Sequence, residues 1–160
     1  MLVLGLGNLL LTDDGVGLRL LEELNTSKGD GWRDRVEFLD GGTQGLALMS
    51  EFEGRKAVVI LDAVGAGAEP GTIHFLRSIE GGFPEFSAGH FRSTTAHEGN
   101  ARELIATVAL LGDSPEQLFV VGIEPDQVKT GIGLTASVEG AVQQAVARAA
   151  GVVEQLLSSH

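Results

Sequence analysis

Residues 57–62 read Ala57-Val58-Val59-Ile60-Leu61-Asp62, and this stretch decides the fold. Its apolar part is continuous and rich in β-branched residues, with no polar alternation, which predicts a strand covered on both faces. Such strands belong to parallel sheets, in which helices usually make the crossover connections. The run is closed by an aspartate, and a carboxylate at the end of a buried strand is costly to bury without a partner. Asp62 is therefore the first candidate for a functional residue.

The rest of the chain alternates between short apolar runs and segments with helical periodicity. Further strands are predicted at residues 2–6, 36–39, 72–76 and 118–123, the third as an edge strand because it alternates. Helices are predicted after a cap at Thr12 and at residues 45–52, 100–111 and 138–157. We therefore expect one α/β domain over residues 1–160, with a three-layer, mostly parallel twisted sheet of about five strands and helices on both faces.

The composition argues against several classes of function. A formal net charge of −11 opposes binding to nucleic acid or to an anionic membrane, because phosphate contacts need clustered Lys and Arg. The absence of cysteine removes disulfides, thiolate metal ligands and cysteine nucleophiles, and it suits a reducing compartment. No apolar run approaches the roughly 18 residues of a membrane span, and the N-terminus lacks a signal-peptide pattern. We therefore expect a soluble, cytoplasmic protein.

Other acids also follow predicted strands. Asp13 and Asp14 come after the first strand, and Asp40 ends the second. The carboxyl ends of strands in a doubly wound sheet line one crevice, where ligands bind; the alternative is that these acids only begin a helix or form a turn. His97 precedes a helix, and one imidazole with two carboxylates forms a ligand set suited to nickel, zinc or manganese. His74 alternates within a strand, which is more typical of a solvated or satisfied histidine.

The stretch Gly5-Leu6-Gly7-Asn8-Leu9-Leu10 partly matches a dinucleotide-binding loop. In that loop a third glycine allows the helix to pack closely on the strand, and here Leu10 takes its place. A Rossmann-type nucleotide-binding enzyme is therefore the weaker alternative. A serine hydrolase is disfavoured because the chain has no Gly-x-Ser-x-Gly sequence.

A set of motifs covers nearly the whole chain. They are Gly5-Leu6-Gly7-Asn8-Leu9-Leu10-Leu11-Thr12-Asp13-Asp14-Gly15-Val16-Gly17, Asp40-Gly41-Gly42-Thr43-Gln44-Gly45, Ile60-Leu61-Asp62-Ala63-Val64, residues 93–97 and Gly122-Ile123-Glu124-Pro125. In this order they resemble the nickel–iron hydrogenase maturation endopeptidase family. The resemblance implies that Asp14, Asp62 and His97 converge on a metal. The first of these positions is often Glu in the family, so Asp14 keeps the ligand type but has a shorter reach.

The resemblance also implies an activity and a partner. Members remove a C-terminal extension from the precursor of the hydrogenase large subunit after nickel has been inserted, and that nickel is the recognition element. We therefore expect a nickel site, with nickel carried by the substrate; another divalent metal could take its place. Two roles are open for the trio: to hold a metal that polarises the scissile carbonyl or a water, or to include a carboxylate general base as in an aspartic peptidase. A nickel-handling or cofactor-binding maturation protein without peptidase activity would use the same ligands.

Overall fold

The structure is a computed structural model that describes residues 1–78 and 101–159. Within these ranges a five-stranded sheet is built from β1 (Leu2–Leu6), β2 (Glu37–Gly42), β3 (Ala57–Ala63), β4 (Ile73–Arg77) and β5 (Gln117–Ile123). The strands lie in the order β2-β1-β3-β5-β4. All pairs are parallel except β4 with β5, which is antiparallel. The predicted mostly parallel sheet is confirmed, and so is the edge strand near residues 72–76.

Helices cover both faces of this sheet. They are α1 (Val16–Thr26), α2 (Ala101–Leu111), α3 (Ala136–Glu139) and α4 (Val142–Ser158), and a 3-10 segment spans Gly45–Phe52. The odd-numbered residues of β1, β3 and β5 pack with α1 and α4, and the even-numbered ones pack with α2 and the 3-10 segment, because successive side chains of a strand point to opposite faces. The predicted three-layer α/β arrangement is therefore confirmed. None of the helices in the described ranges is long and apolar enough to cross a membrane.

The predicted cap at Thr12 was wrong. Thr12 begins a 3-10 turn, Thr12–Gly15, and its hydroxyl donates a 2.7 Å hydrogen bond to the carbonyl oxygen of Gln127. The first α-helix therefore begins later, at Val16. The side chain that was expected to cap the start of a helix instead links Thr12 to the loop after β5.

Two other predicted boundaries also differ. The terminal helix expected over residues 138–157 is divided into α3 and α4, with Gly140 at the division, where a glycine weakens helical continuity. The second strand was expected to end at Leu39, but β2 continues to Gly42 because its backbone keeps pairing with β1. Neither change alters the layers of the fold.

The order of the strands defines where a crevice opens. From β1 the chain leads to β2 on one side, and from β3 it leads to β4 and β5 on the other. The carboxyl ends of β1 and β3 therefore flank the topological switch point, which is where ligands bind in open α/β sheets. We call this place the crevice.

Gly17, in the first turn of α1, sets how closely the helix approaches the crevice. A Cβ atom at this position would overlap the carbonyl oxygens of Leu6 and Leu61 and would lie 2.9 Å from the Cα of Asp62. The start of α1 thus rests directly on the backbone of β1 and β3. This contact fixes the position of the residues just before α1, including Asp14, relative to Asp62.

Gly17→Ala is expected to lower the free energy of unfolding by about 2 kcal/mol or more, because the added methyl group must push α1 off two strands. Gly151→Ala in α4 is the matched control: nothing lies within 4 Å of a Cβ atom there, and alanine favours a helix over glycine by about 1 kcal/mol. Urea unfolding measures both variants. If Gly17→Ala were as stable as the wild type, the close packing of α1 on the strands would be wrong.

Candidate active site

The crevice holds two buried carboxylates, Asp14 and Asp62, which are 0% and 1% exposed. Asp14 belongs to the 3-10 turn Thr12–Gly15, and this turn contacts β3. Asp62 lies within β3, one residue before its end. Two residues that were predicted as metal ligands from separate motifs therefore lie at the same crevice. Their role as ligands stays a prediction.

Backbone N–H groups hold both carboxylates in place. Asn8 N donates to Oδ2 of Asp14 at 3.0 Å. For Asp62, Ala63 N donates to Oδ1 at 2.8 Å, and Ala101 N, at the first residue of α2, donates to Oδ2 at 3.0 Å. Hydrogen bonds to a charged acceptor are strong and directional, so they fix the orientation of each carboxylate. Asp62 in particular joins β3 to the start of α2.

The third predicted ligand, His97, lies outside the described residues. Within residues 1–78 and 101–159, no three His, Asp or Glu side chains form a cluster that could hold a metal ion. The donors described at the crevice are thus two carboxylates, and oxygen donors of this kind suit hard and borderline cations. A complete three-ligand set at this crevice requires a residue from outside these ranges.

Asp13 is as buried as Asp14, but its carboxylate serves another purpose. It accepts hydrogen bonds of 2.7–2.9 Å from the backbone N–H groups of Asp126, Gln127 and Thr135 and from the hydroxyl of Thr135. Burial alone would raise the pKa of Asp13, but the hydrogen bonds from Gln127, Thr135 and Asp126 outweigh it and hold the pKa below its ordinary value of 3.8. Asp13 therefore anchors the loop of residues 124–135 to residues 5–17, which we call the opening motif. This is neither the helix-start role nor the site role that its sequence position suggested.

Asp40 has a local role. Its side chain is exposed, and its Oδ1 accepts a hydrogen bond of 2.9 Å from Gly42 N. A carboxylate that bonds the backbone two residues ahead is typical of a bend. Asp40 nevertheless lies inside β2, at the register shift where Gly5 pairs with Asp40 and Leu6 with Gly42, so the expectation that it ends the strand as a turn former was wrong.

Glu124 is a buried acid that the reasoning from sequence did not single out. Its carboxylate accepts hydrogen bonds from Ala66 N at 2.8 Å and Gly67 N at 3.1 Å, and its Oε2 lies 2.8 Å from Nε2 of His74. Of the two expectations for His74, a solvated or a satisfied histidine, the structure supports the second. A signal for Glu124 was present, because it directly follows the apolar strand β5, as Asp62 closes an apolar run in β3.

Gly7, in the stretch that partly matches a dinucleotide-binding loop, is explained by packing within the protein. Gly7 has a φ of 134°, and a Cβ atom there would overlap the carbonyl oxygen of Asp14. The space beside Gly7 is thus filled by the backbone of the 3-10 turn. The partial match to a dinucleotide-binding loop therefore has a structural cause that needs no nucleotide.

Several known proteins similar to this chain are described as hydrogenase maturation proteases or endopeptidases. The family model described as hydrogenase maturation protease matches residues 18–152. The hydrogenase 2 maturation protease of Escherichia coli K12 is 34% identical over 146 residues, which cover 91% of this chain and 85% of that protein. Among solved structures, the hydrogenase maturating endopeptidase HybD of Escherichia coli has a TM-score of 0.81 at 32% identity, covering 96% of this chain and 91% of the other. The NiFe hydrogenase maturation protease HybD of Thermococcus kodakarensis has a TM-score of 0.69 at 28% identity, covering 94% and 97%.

Asp13→Asn is expected to lower the free energy of unfolding at pH 7 by about 2 kcal/mol or more, because an amide replaces the charged acceptor of several buried donors. Folding lowers the pKa of Asp13 below its ordinary value of 3.8. The charged carboxylate therefore stabilises the folded state fully above pH 3.8, and this stabilisation is lost as the pH falls through the lower pKa of the folded state. The stability difference between wild type and variant should therefore shrink below this pH. Urea unfolding across the acid range measures it, with Asp126→Asn, an exposed acid of the same loop, as the control. A difference that stays constant with pH would contradict the anchoring role.

Proposed function

The chain belongs to the hydrogenase maturation protease family, and we propose that it is the endopeptidase that removes the C-terminal extension from a nickel-loaded precursor of a hydrogenase large subunit. The observation that carries the proposal is the pair of buried carboxylates, Asp14 and Asp62, at the crevice of a chain from this family. In the proposal His97 is the third member of the site. The family itself consists of enzymes that process hydrogenases, so peptidase activity follows from membership. The nickel-loaded substrate and the roles of Asp14, Asp62 and His97 are part of the proposal.

We propose that the nickel enters the site as part of the substrate. Asp14, Asp62 and His97 would supply two oxygen donors and one nitrogen donor, and the chain has no cysteine that could add a thiolate. Such a set leaves coordination positions open and does not by itself favour tight retention of the metal. A nickel ion already bound in the precursor could complete its coordination with these three side chains, and another divalent metal could take the same place. When bound there, the metal would act as a Lewis acid toward the scissile carbonyl or a water molecule.

The contribution of the chain's own residues is to hold the two carboxylates in fixed positions. Asp62 is bonded to β3 and to the start of α2, and Asp14 is bonded to Asn8. Carboxylates that are already oriented need no reorganisation when the precursor binds. A rigid site lowers the barrier of the chemical step in this way. Binding of the precursor and positioning of its scissile bond would then be a single event.

The first test of the proposal is substitution of each member of the site. Asp14→Asn, Asp62→Asn and His97→Ala are each expected to lower the rate of precursor cleavage by about a hundredfold or more, because each removes a group that positions or stabilises the reacting centre. Asparagine keeps one acceptor oxygen, which can receive the bond from Asn8 N at position 14. At position 62 it can receive only one of the two bonds from Ala63 N and Ala101 N, so Asp62→Asn should be less stable than the wild type but still folded. Cleavage is followed by the shift of the precursor on a gel, and folding by circular dichroism and urea unfolding.

Asp113→Asn is the matched control for the two carboxylate variants, because Asp113 is an exposed acid in the turn after α2. It should cleave the precursor at the wild-type rate. Wild-type activity in a folded Asp62→Asn protein would remove that residue from the mechanism. If wild type binds the nickel-loaded precursor tightly but never cleaves it, the chain handles nickel precursors without being a peptidase, and the proposal is wrong.

The second test concerns the source of the nickel. Precursor that lacks nickel is expected to remain uncleaved even when the peptidase has been incubated with nickel or zinc and freed of excess metal, because the metal that completes the site arrives with the substrate. The assay compares nickel-loaded and metal-free precursor against the same enzyme preparation. Efficient cleavage of metal-free precursor by metal-loaded peptidase would mean that the metal is an ordinary cofactor of the enzyme.

A further inference from the structure

Two leucines stand at the tip of a tight turn beside the crevice. The turn spans residues 8–11: Leu11 N donates to the carbonyl oxygen of Asn8 at 3.1 Å, and Leu10 N donates to the side-chain Oδ1 of Asn8 at 2.9 Å. This leaves Leu9 and Leu10 56% and 61% exposed. Turn tips are usually occupied by Gly, Pro, Asn, Asp or Ser, each of which suits the turn backbone or water. Two large apolar side chains here have no role in the turn itself.

A third apolar side chain, Ile132, lies next to this turn and is 87% exposed. Its loop pairs with the turn through two backbone hydrogen bonds of 2.9 Å, from Gly131 N to the carbonyl oxygen of Leu10 and from Thr12 N to the carbonyl oxygen of Gly131. The bridge joins Leu11 to Gly131, so Ile132 directly follows the residue that pairs with the turn. We call Leu9, Leu10 and Ile132 the rim patch.

The rim patch is carried by a rigid backbone. The loop of Ile132 is held by the bonds from Gln127 N and Thr135 N to the buried carboxylate of Asp13. On the other side, Leu9 packs over Gly15, where a Cβ atom would lie 3.0 Å from the Cα of Leu9. A surface that is ordered before binding loses little conformational entropy on association. Exposed apolar side chains on such a surface are typical of a protein–protein contact.

The rim patch is also joined directly to the crevice. Asn8, which forms the turn that carries Leu9 and Leu10, donates its N–H to Oδ2 of Asp14 at 3.0 Å. A partner that sits on the turn therefore contacts the segment that holds the buried carboxylate of Asp14. A second copy of this chain in that position would cover the crevice that the substrate has to enter. The position of the rim patch thus favours the substrate as its occupant.

We propose that the rim patch is the surface on which the hydrogenase precursor docks, through an apolar surface of the precursor next to its scissile bond. This inference rests on the function proposed above and adds to it the contact that recognises the substrate protein. Because the contact is apolar, its share of the affinity does not depend on attraction to the protein's net charge of −11 and should persist at high salt.

Ile132→Asp tests the docking surface, and Leu110→Asp is its matched control. Leu110 is 84% exposed, close to the value of Ile132. It lies in α2, about 14 Å along the helix from Ala101, the residue that is hydrogen-bonded to Asp62. The probe is a purified nickel-loaded large-subunit precursor. We expect Ile132→Asp to raise the Kd and the KM for this precursor about tenfold, in low and high salt alike, with kcat within about twofold of wild type. Leu110→Asp should change none of these values, and Leu10→Ser should repeat the effect of Ile132→Asp in a second loop.

The measurements separate this inference from the function on which it rests. If wild type cleaves the precursor and Ile132→Asp binds it with an unchanged Kd, the docking surface is wrong and the function stands. If wild type binds the precursor without cleaving it and Ile132→Asp weakens that binding, the docking surface stands and the function is wrong. Failure of wild type to bind the precursor at all overturns both. Sedimentation of the free protein is the last check: a wild-type dimer that Ile132→Asp converts to a monomer would assign the patch to a second copy and overturn the proposal.

Discussion

The contact between α1 and the carboxyl ends of two neighbouring strands determines the rest of the site. It is possible only because Gly17 has no side chain, so the helix rests on the carbonyl oxygens of Leu6 and Leu61. The chain that enters this helix must then cross the end of β3, and it does so in a 3-10 turn that contains Asp14. A carboxylate from the turn and a carboxylate from the strand are brought to one crevice by the packing of backbone on backbone. Gly7 makes a second contact of the same kind, because it leaves room for the carbonyl group of Asp14.

Most of the fold could be predicted from the sequence because its central strands are buried on both faces. A strand such as β3 shows its environment locally, as an apolar run, so its existence and its end near Asp62 follow from a few adjacent residues. The helix boundaries were harder to predict. Thr12 has the chemistry of a helix cap, yet its hydroxyl bonds to Gln127, 115 residues away, and local sequence holds no trace of that partner.

Local sequence also fails to distinguish the two adjacent aspartates. Asp13 and Asp14 are both completely buried, and nothing in their immediate sequence tells them apart. Asp13 is committed to donors that lie 113 to 122 residues further along the chain, in the loop that follows β5. Asp14 accepts a hydrogen bond from Asn8, six residues earlier. Resemblance to a family singled out Asp14 as a site residue, a role that stays a prediction, whereas composition and periodicity alone left the pair equivalent.

The two aspartates have different roles, and together they connect the rim patch to the proposed site carboxylate. Asp13 holds the loop of Ile132 against the opening motif, and Asn8 connects the exposed leucines of that motif to the carboxylate of Asp14. The apolar contact surface and the buried acid are therefore parts of one hydrogen-bonded unit, which joins residues 8–14 to the loop of residues 126–135. A partner bound at the rim can alter the position of Asp14 only by breaking hydrogen bonds of this unit, which is costly where the acceptors are buried. In the proposed docking mode the precursor has to fit the crevice as it stands, and selectivity would come from the shape of the precursor rather than from movement of Asp14 or Asp62.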